Sequence, residues 1–373
     1  MFYELFIFIS KIFYNITNKL KKKETKYKFN LNFLMEAYSN LKESYTRSEL
    51  EILNNFKIYC ANKKLEYRTD LYTNDFLIKF LRAKKYKMEE SYQMFIKYLK
   101  FSREYNIENI NKVEFPNIDK IKIFYPHGFH KTTKTGNPIF IQNLGEIKIN
   151  DINRLLPDKK LNQYIINLLE IMKYKIFPKC SITFNKPIDR IFCIVDLLGL
   201  TTSLMNKKIF HFLNTQLSIC QNYYPGILDG LYFVNTGFIF KILWSTCKYF
   251  YDESTRRRIQ LLGFDYKNQL LEKVSSENLP KFIGGECNCD PYGCIFSEAG
   301  PWNNNNKDNK NNDNNSFIGI IHSQKNNEIY EQLTLKSNVK NTIKINEEKI
   351  KDISENDDIQ NVNNNPMNHM NEI

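Results

Sequence analysis

Three cysteines in the second half of the sequence form its densest group of thiols, which are potential metal ligands. Cys287, Cys289 and Cys294 lie close together in the chain. Thiolates hold zinc when four ligands complete a tetrahedron, commonly with cysteines paired as CxxC. This group has no CxxC pair and no obvious fourth ligand, so its spacing argues against a zinc site. The other cysteines are scattered, several of them inside apolar runs, which is typical of reduced thiols rather than of a disulfide framework.

Other residues that could do chemistry are better explained by structural roles. His127 and His130 could share a metal, but they follow a Tyr-Pro turn, where a structural hydrogen bond is the simpler role. Asp196 ends an apolar run, which favours a hydrogen-bonding residue at the end of a strand. The sequence contains no GxSxG elbow, HExxH pair, phosphate-binding P-loop or GxGxxG before a helix. We therefore expect no catalytic residues, no metal and no cofactor, and the chain is not expected to be an enzyme.

Composition indicates an anionic partner and an aromatic interior. The 373 residues carry a formal net charge of +12 and include 28 Phe and 23 Tyr. A basic net charge favours binding either to a nucleic acid or to a membrane surface. No zinc-finger spacing, homeodomain-like helix or aromatic-basic RNA-binding signature is present, so we expect no nucleic-acid partner. An interior rich in rings can line a cavity as well as fill one.

Residues 31–115 are predicted to form a helical N-terminal subdomain. Thr46 followed by Glu49 makes a capping box before an apolar run at helical spacing. A second helix is predicted from about Thr73, and a third over Met88–Glu104, where aromatic and aliphatic residues recur on one face.

Residues 116–302 show short apolar runs that alternate with amphipathic segments. Strands that alternate with helices predict an α/β lobe with a largely parallel sheet. The predicted strands are Pro138–Leu144, Arg190–Asp196, Gly230–Asn235, Arg258–Leu262 and Gly293–Ser297, and the predicted helices are Asp158–Phe177, Ser203–Gln221 and Phe238–Tyr251.

The two ends of the sequence differ from this middle part. Residues 1–30 join an apolar stretch to a lysine cluster, which is the composition either of an interfacial membrane contact or of a leader that packs on the domain. Residues 303–373 are rich in Asn and Lys and poor in aromatics, so most of this tail is expected to be disordered.

Five motifs in register carry a family resemblance. They are Phe80–Tyr86, Tyr125–Thr132, Gln221–Pro225, Glu277–Gly285 and Gly300–Trp302. Together they resemble the CRAL-TRIO family of lipid-transfer proteins, most closely its phosphatidylinositol/phosphatidylcholine transfer branch, over roughly residues 45–302. The resemblance implies an α/β fold in which the helical subdomain precedes a lobe whose mostly parallel sheet encloses an apolar pocket.

The resemblance also implies a gate and a headgroup site. The segment Thr236–Tyr251 is apolar on more than one face, and Gly237 near its start is a possible hinge, which suits a helix that closes on lipid. An ordinary buried helix is the alternative. Lys84, Lys85, Thr255 and Arg258 fall on positions where the family meets the lipid phosphate. The expected gate side chains are Phe238, Phe240, Leu243, Trp244 and Phe250.

Some positions depart from the family pattern. Gly226 stands where the family's inositol-lipid binders carry an acidic residue, which removes an acceptor for inositol hydroxyls. Ile191, Cys193 and Cys220 stand where the phosphatidylcholine site uses small hydroxyl residues. The headgroup site therefore matches neither specificity fully, although its basic half favours an inositol lipid.

These observations predict a carrier of one phospholipid, namely phosphatidylinositol or a related phosphoinositide. Roughly 30 acyl methylenes, each costing about 0.8 kcal/mol in water, require a sealed cavity rather than an open groove. The chain is expected to act as a monomer in the cytoplasm, peripherally associated with membranes such as those of the Golgi or endosomes. The alternative is a scaffold or recruitment module that binds another hydrophobic ligand without bulk transfer.

Overall fold

A computed structural model describes residues 45–200, 207–289 and 293–303. The predictions made for residues 1–44 and 304–373 lie outside the described residues. No helix within the described ranges combines the length and the apolar character needed to cross a bilayer.

The N-terminal subdomain is built from three helices, as the sequence predicts. Thr46 caps the first helix: its hydroxyl accepts from the Glu49 amide at 3.1 Å, and the Glu49 carboxylate accepts in return from the Thr46 amide at 3.2 Å. Phe56, Phe80 and Phe95 are fully buried where the three helices meet. The helices are α1 (Arg47–Asn62), α2 (Asn74–Ala83) and α3 (Met88–Glu104).

The lobe that follows contains one sheet with strand order β1-β2-β3-β4-β5. β1 runs antiparallel to β2, whereas β2 to β5 are mutually parallel. The mixed but mostly parallel sheet and the preceding helices confirm the predicted α/β class. The strands are β1 (His127–Thr132), β2 (Pro138–Asn143), β3 (Ile191–Asp196), β4 (Leu228–Val234) and β5 (Ile259–Leu261).

Helices and helical turns connect these strands. The predicted helix Asp158–Phe177 is interrupted by a π-helical turn at Met172–Ile176, and the predicted helix Phe238–Tyr251 ends in a 3-10 turn at Lys248–Phe250. The lobe helices are α4 (Ile118–Phe124), α5 (Ile149–Leu155), α6 (Asp158–Ile171), α7 (Phe177–Phe184), α8 (Lys207–Tyr223), α9 (Phe238–Cys247), α10 (Glu253–Arg257) and α11 (Lys267–Lys273).

Alternation along the strands separates two apolar clusters on opposite faces of the sheet. Phe140 of β2 and Val195 of β3 face α6 and α8, whereas Ile141 and Ile194 face α11 and the residues that follow it. We call these residues, 275–289 and 293–303, the C-terminal segment. Side chains of successive strand residues point to opposite faces, so each strand serves both clusters. We call the side covered by α6 and α8 the cavity face, and the side covered by α11 the outer face.

The ends of the sheet differ from the sequence prediction in two places. The predicted strand Gly293–Ser297 is wrong: Gly293 has φ 77°, and its carbonyl accepts from the Phe296 and Ser297 amides, which curls the segment into a turn. The fifth strand is instead β1, at one edge of the sheet, which the sequence does not predict as a strand. The turn packs so closely on β1 that a Cβ on Gly128 would lie 2.0 Å from the Ile295 carbonyl oxygen.

Candidate lipid-binding site

A cavity of about 810 Å³ lies on the cavity face of the sheet. Its size falls in the upper part of the range for small-molecule sites, about 300–1,000 Å³. Most of its wall is aliphatic or aromatic, so the cavity offers an apolar environment to a long hydrocarbon ligand. The apolar wall includes Phe140 of β2, Val195 of β3, Leu231 and Phe233 of β4, Leu161, Ile165 and Leu169 of α6, and Phe212, Leu213 and Leu217 of α8.

A network of hydrogen bonds joins the buried His127 to polar residues that line the cavity. His127 contacts the Tyr125 carbonyl through Nδ1 at 2.6 Å and the Tyr164 hydroxyl through Nε2 at 2.8 Å. Burial lowers the pKa of His127 to about 3, so the ring is neutral near pH 7. The Tyr125 hydroxyl donates to the Gln142 side chain and accepts from Gln216. The network holds cavity-lining side chains such as Tyr125 and Tyr164 in place, as expected for histidine in a structural role.

Two cavity-lining thiols behave as small apolar groups. Burial raises the pKa of Cys220 to about 12 and raises that of Cys193 well above its usual range. Both thiols therefore stay protonated at physiological pH. With Ile191, which also lines the cavity, they form a wall without strong hydrogen-bond donors.

All four residues predicted to meet the phosphate line this same cavity. Lys84 and Lys85 follow α2, while Thr255 lies in α10 and Arg258 directly after it. The geometry thus brings together side chains that are far apart in sequence. Further charged side chains that line the cavity were missed by sequence reasoning: Lys79, Arg82, Glu89, Glu90, Lys97, Asp189, Arg190 and Asp252.

For Lys79, Asp189 and Arg190 the signal is their place in the fold, whereas Arg82 lies within the motif Phe80–Tyr86. Arg190 directly precedes β3, beside the apolar wall residue Ile191. Lys79 lies on α2 and forms an ion pair with Asp189 at 2.8 Å, which joins the helical subdomain to the start of that strand. No local motif marks either residue, because the pairing depends on how the two parts of the chain pack.

The turn that carries Lys84 and Lys85 has an unusual backbone. The Lys85 amide donates to the Arg82 carbonyl at 3.1 Å, and the Tyr86 amide donates to the Leu81 carbonyl at 2.7 Å. This is the Schellman pattern, in which the residue at the position of Lys85 is usually glycine because it adopts a left-handed conformation. Lys85 has φ 51° and Tyr86 has φ 60°. The left-handed conformation is strained for a residue with a side chain, and it places the exposed Lys85 at the cavity mouth.

An ion pair anchors this turn to α1. Arg82 Nε donates to Glu49 Oε1 at 2.9 Å, and the Tyr86 hydroxyl donates to the same oxygen at 2.9 Å. The Arg82 hydrogen bond, assisted by those from Thr46 and Tyr86, lowers the pKa of Glu49 to about 2 even though burial opposes the shift. Glu49 is therefore ionised at neutral pH and holds both ends of the turn.

The second cationic element is the short helix α10. Asp252 caps it, accepting from the Thr255 amide at 2.8 Å and from the Thr255 hydroxyl at 3.1 Å. Arg258 follows the helix, and its Nη1 donates to the Asp229 carbonyl at 3.4 Å. The Thr255 hydroxyl must break its hydrogen bond to Asp252 before it can donate to a ligand, although the hydroxyl oxygen can still accept one. The hydrogen bond from Arg258 to Asp229 uses only Nη1, so the other guanidinium donors are not engaged by it.

The predicted gate helix is α9, and it presents two different surfaces. Phe240 is buried and packs on Phe233 of the cavity wall, with ring centroids 5.0 Å apart, while Trp244 stacks on Tyr251 at 5.7 Å. By contrast, 76% of Phe238 is exposed, and Ile242 and Tyr249 are also exposed. The side chains of Leu243 and Phe250 lie outside the described residues.

Comparisons with known proteins place the chain in a family. The CRAL/TRIO domain matches residues 123–285, and the CRAL/TRIO N-terminal domain matches residues 52–97. A phosphatidylinositol/phosphatidylcholine transfer protein of Arabidopsis thaliana, SFH11, is 36% identical over 232 residues, which are 61% of this chain and 61% of that protein. The Sec14 cytosolic factor of Schizosaccharomyces pombe is 32% identical over 241 residues, 64% of this chain and 83% of that protein.

These relatives differ in length. The chain spans 61% of SFH11 and 42% of another Arabidopsis relative, the phosphatidylinositol/phosphatidylcholine transfer protein SFH7. Among solved structures, the crystal structure of Sfh5 matches with a TM-score of 0.42 and 17% identity, over 62% of this chain and 85% of that chain. Both domain matches and the similarity to most of the Schizosaccharomyces protein show that this chain belongs to the CRAL/TRIO family, with relatives in its phosphatidylinositol/phosphatidylcholine transfer branch.

Proposed function

We propose that this protein binds one phospholipid, phosphatidylinositol or a related phosphoinositide, in a gated cavity and transfers or presents it between membranes. The observation that carries the proposal is the make-up of the cavity. A largely apolar space of about 810 Å³ is lined at its mouth by Lys84, Lys85, Thr255 and Arg258. A phospholipid has the matching pair of properties, two hydrocarbon chains and an anionic phosphate.

Burial of the acyl chains supplies the affinity. Each methylene that leaves water contributes about 0.8 kcal/mol, so walls such as those of α6 and α8 favour retention strongly. The protonated thiols of Cys193 and Cys220 contribute to the same apolar surface. Transfer then requires a second membrane, where the chains can leave the cavity without entering water.

Cations at the mouth orient the headgroup. A lysine ammonium binds phosphate as a point charge, while the Arg258 guanidinium can donate two parallel hydrogen bonds. The wall residues Ile191, Cys193 and Cys220 offer no strong donor to a choline-lipid phosphate. These cationic and hydroxyl side chains suit an inositol lipid that is held mainly through its phosphate. Gly226 provides no acidic side chain for the inositol hydroxyls.

The helix α9 serves as the gate and as the surface that meets the bilayer. Its buried Phe240 rests on the cavity wall, and its exposed Phe238 and Ile242 offer apolar area to a membrane. Opening at Gly237 would move Phe240 away from Phe233 and connect the cavity to lipid. The protein acts as a monomer in the cytoplasm, peripherally on membranes, and performs no covalent chemistry on its cargo.

The test is transfer of labelled phosphatidylinositol between vesicles by the full-length chain. Replacing Lys84 and Lys85 with Gln should reduce transfer about tenfold or more, because a charge-assisted hydrogen bond contributes about 1.5–3 kcal/mol. The matched control replaces Lys63 and Lys64 with Gln, since this lysine pair follows α1 in the same way. Unchanged transfer by the Lys84 and Lys85 variant, or the absence of transfer by the folded wild-type chain, would contradict the proposal.

A further inference from the structure

A group of four metal-binding side chains lies on the outer face of the sheet, away from the lipid cavity. His130 of β1 meets Cys287, Cys289 and Cys294 of the C-terminal segment, and the ligand atoms of all four lie within 4.8 Å of one another. His130 is fully buried, Cys287 and Cys294 are buried, and Cys289 is half-buried. The sequence offered no fourth ligand for the cysteines, and the fold supplies His130 as that ligand.

The spacing of the sulfur atoms suits a tetrahedral metal. Cys287 Sγ and Cys289 Sγ are 3.7 Å apart. Two sulfurs that each lie about 2.3 Å from a tetrahedral zinc are about 3.8 Å apart. The same separation is far too long for a disulfide, whose sulfurs lie about 2.05 Å apart.

Hydrogen bonding leaves one nitrogen of His130 available as a ligand. The Ser297 hydroxyl donates to the Cys294 carbonyl at 3.0 Å, so its oxygen accepts from His130 Nδ1 at 3.4 Å. In the tautomer that makes this hydrogen bond, the proton is on Nδ1 and Nε2 keeps its lone pair. Nε2 has no hydrogen-bond partner among the described residues, although the ring is buried. Metal-binding histidines show this same arrangement, with one nitrogen held by a neighbouring oxygen and the other on the metal.

The backbone around the cysteines is shaped independently of any ligand. The Cys287 amide and carbonyl bond to the Leu279 carbonyl and the Lys281 amide, which fixes the first cysteine beside the outer face. The Gly293 amide donates to the Cys289 carbonyl at 2.7 Å, and its φ of 77° reverses the chain so that Cys294 returns to the cluster. The cysteines are thus held together by main-chain bonds on both sides.

We infer that His130, Cys287, Cys289 and Cys294 bind one structural zinc ion. Thiolate sulfur and imidazole nitrogen select zinc among the common divalent ions, and four protein ligands leave no position for substrate. Three thiolates and a neutral imidazole give the zinc complex a net charge of −1, and the Lys131 ammonium beside Cys287 offsets it.

The ion would fasten the C-terminal segment to β1, an edge strand of the sheet that is itself mostly buried. His130 and its partner Ser297 are 167 residues apart in the chain, so the zinc closes a very long loop. The same segment continues to Trp302, whose ring packs against Phe129 of β1 at 6.3 Å on the cavity face. A zinc ion at His130 would therefore stabilise both sides of the strand that borders the cavity.

The direct experiment is metal analysis of the full-length chain purified in the presence of a thiol reductant. We expect about one zinc per chain after gel filtration against a weak chelator. Cys289→Ser and Cys294→Ser should each reduce zinc content at least about fivefold. Cys60→Ser and His211→Gln are matched controls, since Cys60 is buried between the N-terminal helices and His211 lies on α8; both should retain the ion.

Cobalt replacement gives a second measurement that needs no variant to fold. Wild-type chain loaded with Co²⁺ alone should show thiolate-to-cobalt charge-transfer bands with the intensity of three thiolates and the visible bands of a tetrahedral site. Folded, reduced wild-type chain that holds less than about a tenth of an equivalent of zinc and gives no thiolate–cobalt bands would overturn the inference. Full retention of zinc by the doubly substituted Cys289 and Cys294 chain would also overturn it.

Discussion

Replacing Lys85 with glycine should make the protein more stable and a poorer lipid carrier at once. Lys85 occupies the glycine position of a Schellman turn with φ 51°. The left-handed conformation costs a residue with a side chain about 1–2 kcal/mol, while the greater freedom of glycine in the unfolded chain costs about 0.5–1 kcal/mol. The expected net gain in the free energy of unfolding is therefore about 0.5–1 kcal/mol, or a rise in melting temperature of about 1–3 °C.

The chain contains a matched control for this substitution. Lys64 follows α1 with φ 53°, its amide donates to the Ala61 carbonyl, and the Leu65 amide donates to the Cys60 carbonyl, which is the same Schellman pattern. Both lysines are exposed, but only Lys85 is among the residues that line the cavity. Lys64→Gly should therefore give a similar gain in stability with no change in lipid binding.

The assay combines thermal unfolding with binding of phosphatidylinositol from vesicles. Lys85→Gly should lower the affinity about tenfold through loss of one charge-assisted contact, while Lys64→Gly should leave it within about twofold. A loss of stability in both variants would refute the argument from backbone strain. Equal lipid affinity of the two variants would refute the role of Lys85 at the mouth.

Three further predictions concern other parts of the site. Glu49→Gln should lower the free energy of unfolding by about 1–2 kcal/mol at pH 7. Because the pKa of Glu49 is lowered from 4.5 to about 2, the difference between wild type and variant should shrink as the pH falls from 4.5 toward 2. Urea unfolding that gives the same difference at every pH would contradict this. Cys220→Phe should fill part of the cavity and lower the amount of phospholipid that co-purifies, and unchanged lipid content would exclude Cys220 from the binding space. Phe238→Ser should weaken vesicle binding about tenfold because an exposed ring no longer enters the bilayer, and equal vesicle sedimentation would exclude α9 as the membrane-contact surface.

The sequence predicts those helices and strands whose formation depends on neighbouring residues in the chain. The capping box of Thr46 and Glu49 marks the start of α1. The apolar runs of β3 and β4 follow from burial on both faces of the sheet. β1 was missed because His127–Thr132 lacks a run of β-branched residues, and its extended form depends on pairing with β2. Gly293–Ser297 has strand-like composition, but the turn at Gly293 and the contact with β1 decide its conformation.

In the candidate site, too, residues within motifs could be predicted from the sequence, whereas contacts between distant segments could not. Lys84, Lys85, Thr255 and Arg258 came from family motifs, and the structure places all of them on one cavity. The Lys79–Asp189 pair and the meeting of His130 with the three cysteines join segments that are distant in sequence, so no motif could reveal them. The left-handed lysine of the α2 turn was equally hidden, because sequence reasoning expects glycine there.

Native mass spectrometry of the full-length chain, purified without detergent, measures directly whether one chain holds one phospholipid. We expect one phospholipid per chain in a single complex, with an inositol lipid retained in preference to phosphatidylcholine when vesicles containing both are supplied. The Cys220→Phe chain, measured alongside, should show mostly lipid-free protein. A folded wild-type chain that carries no lipid after purification and takes up none from the vesicles would contradict the account.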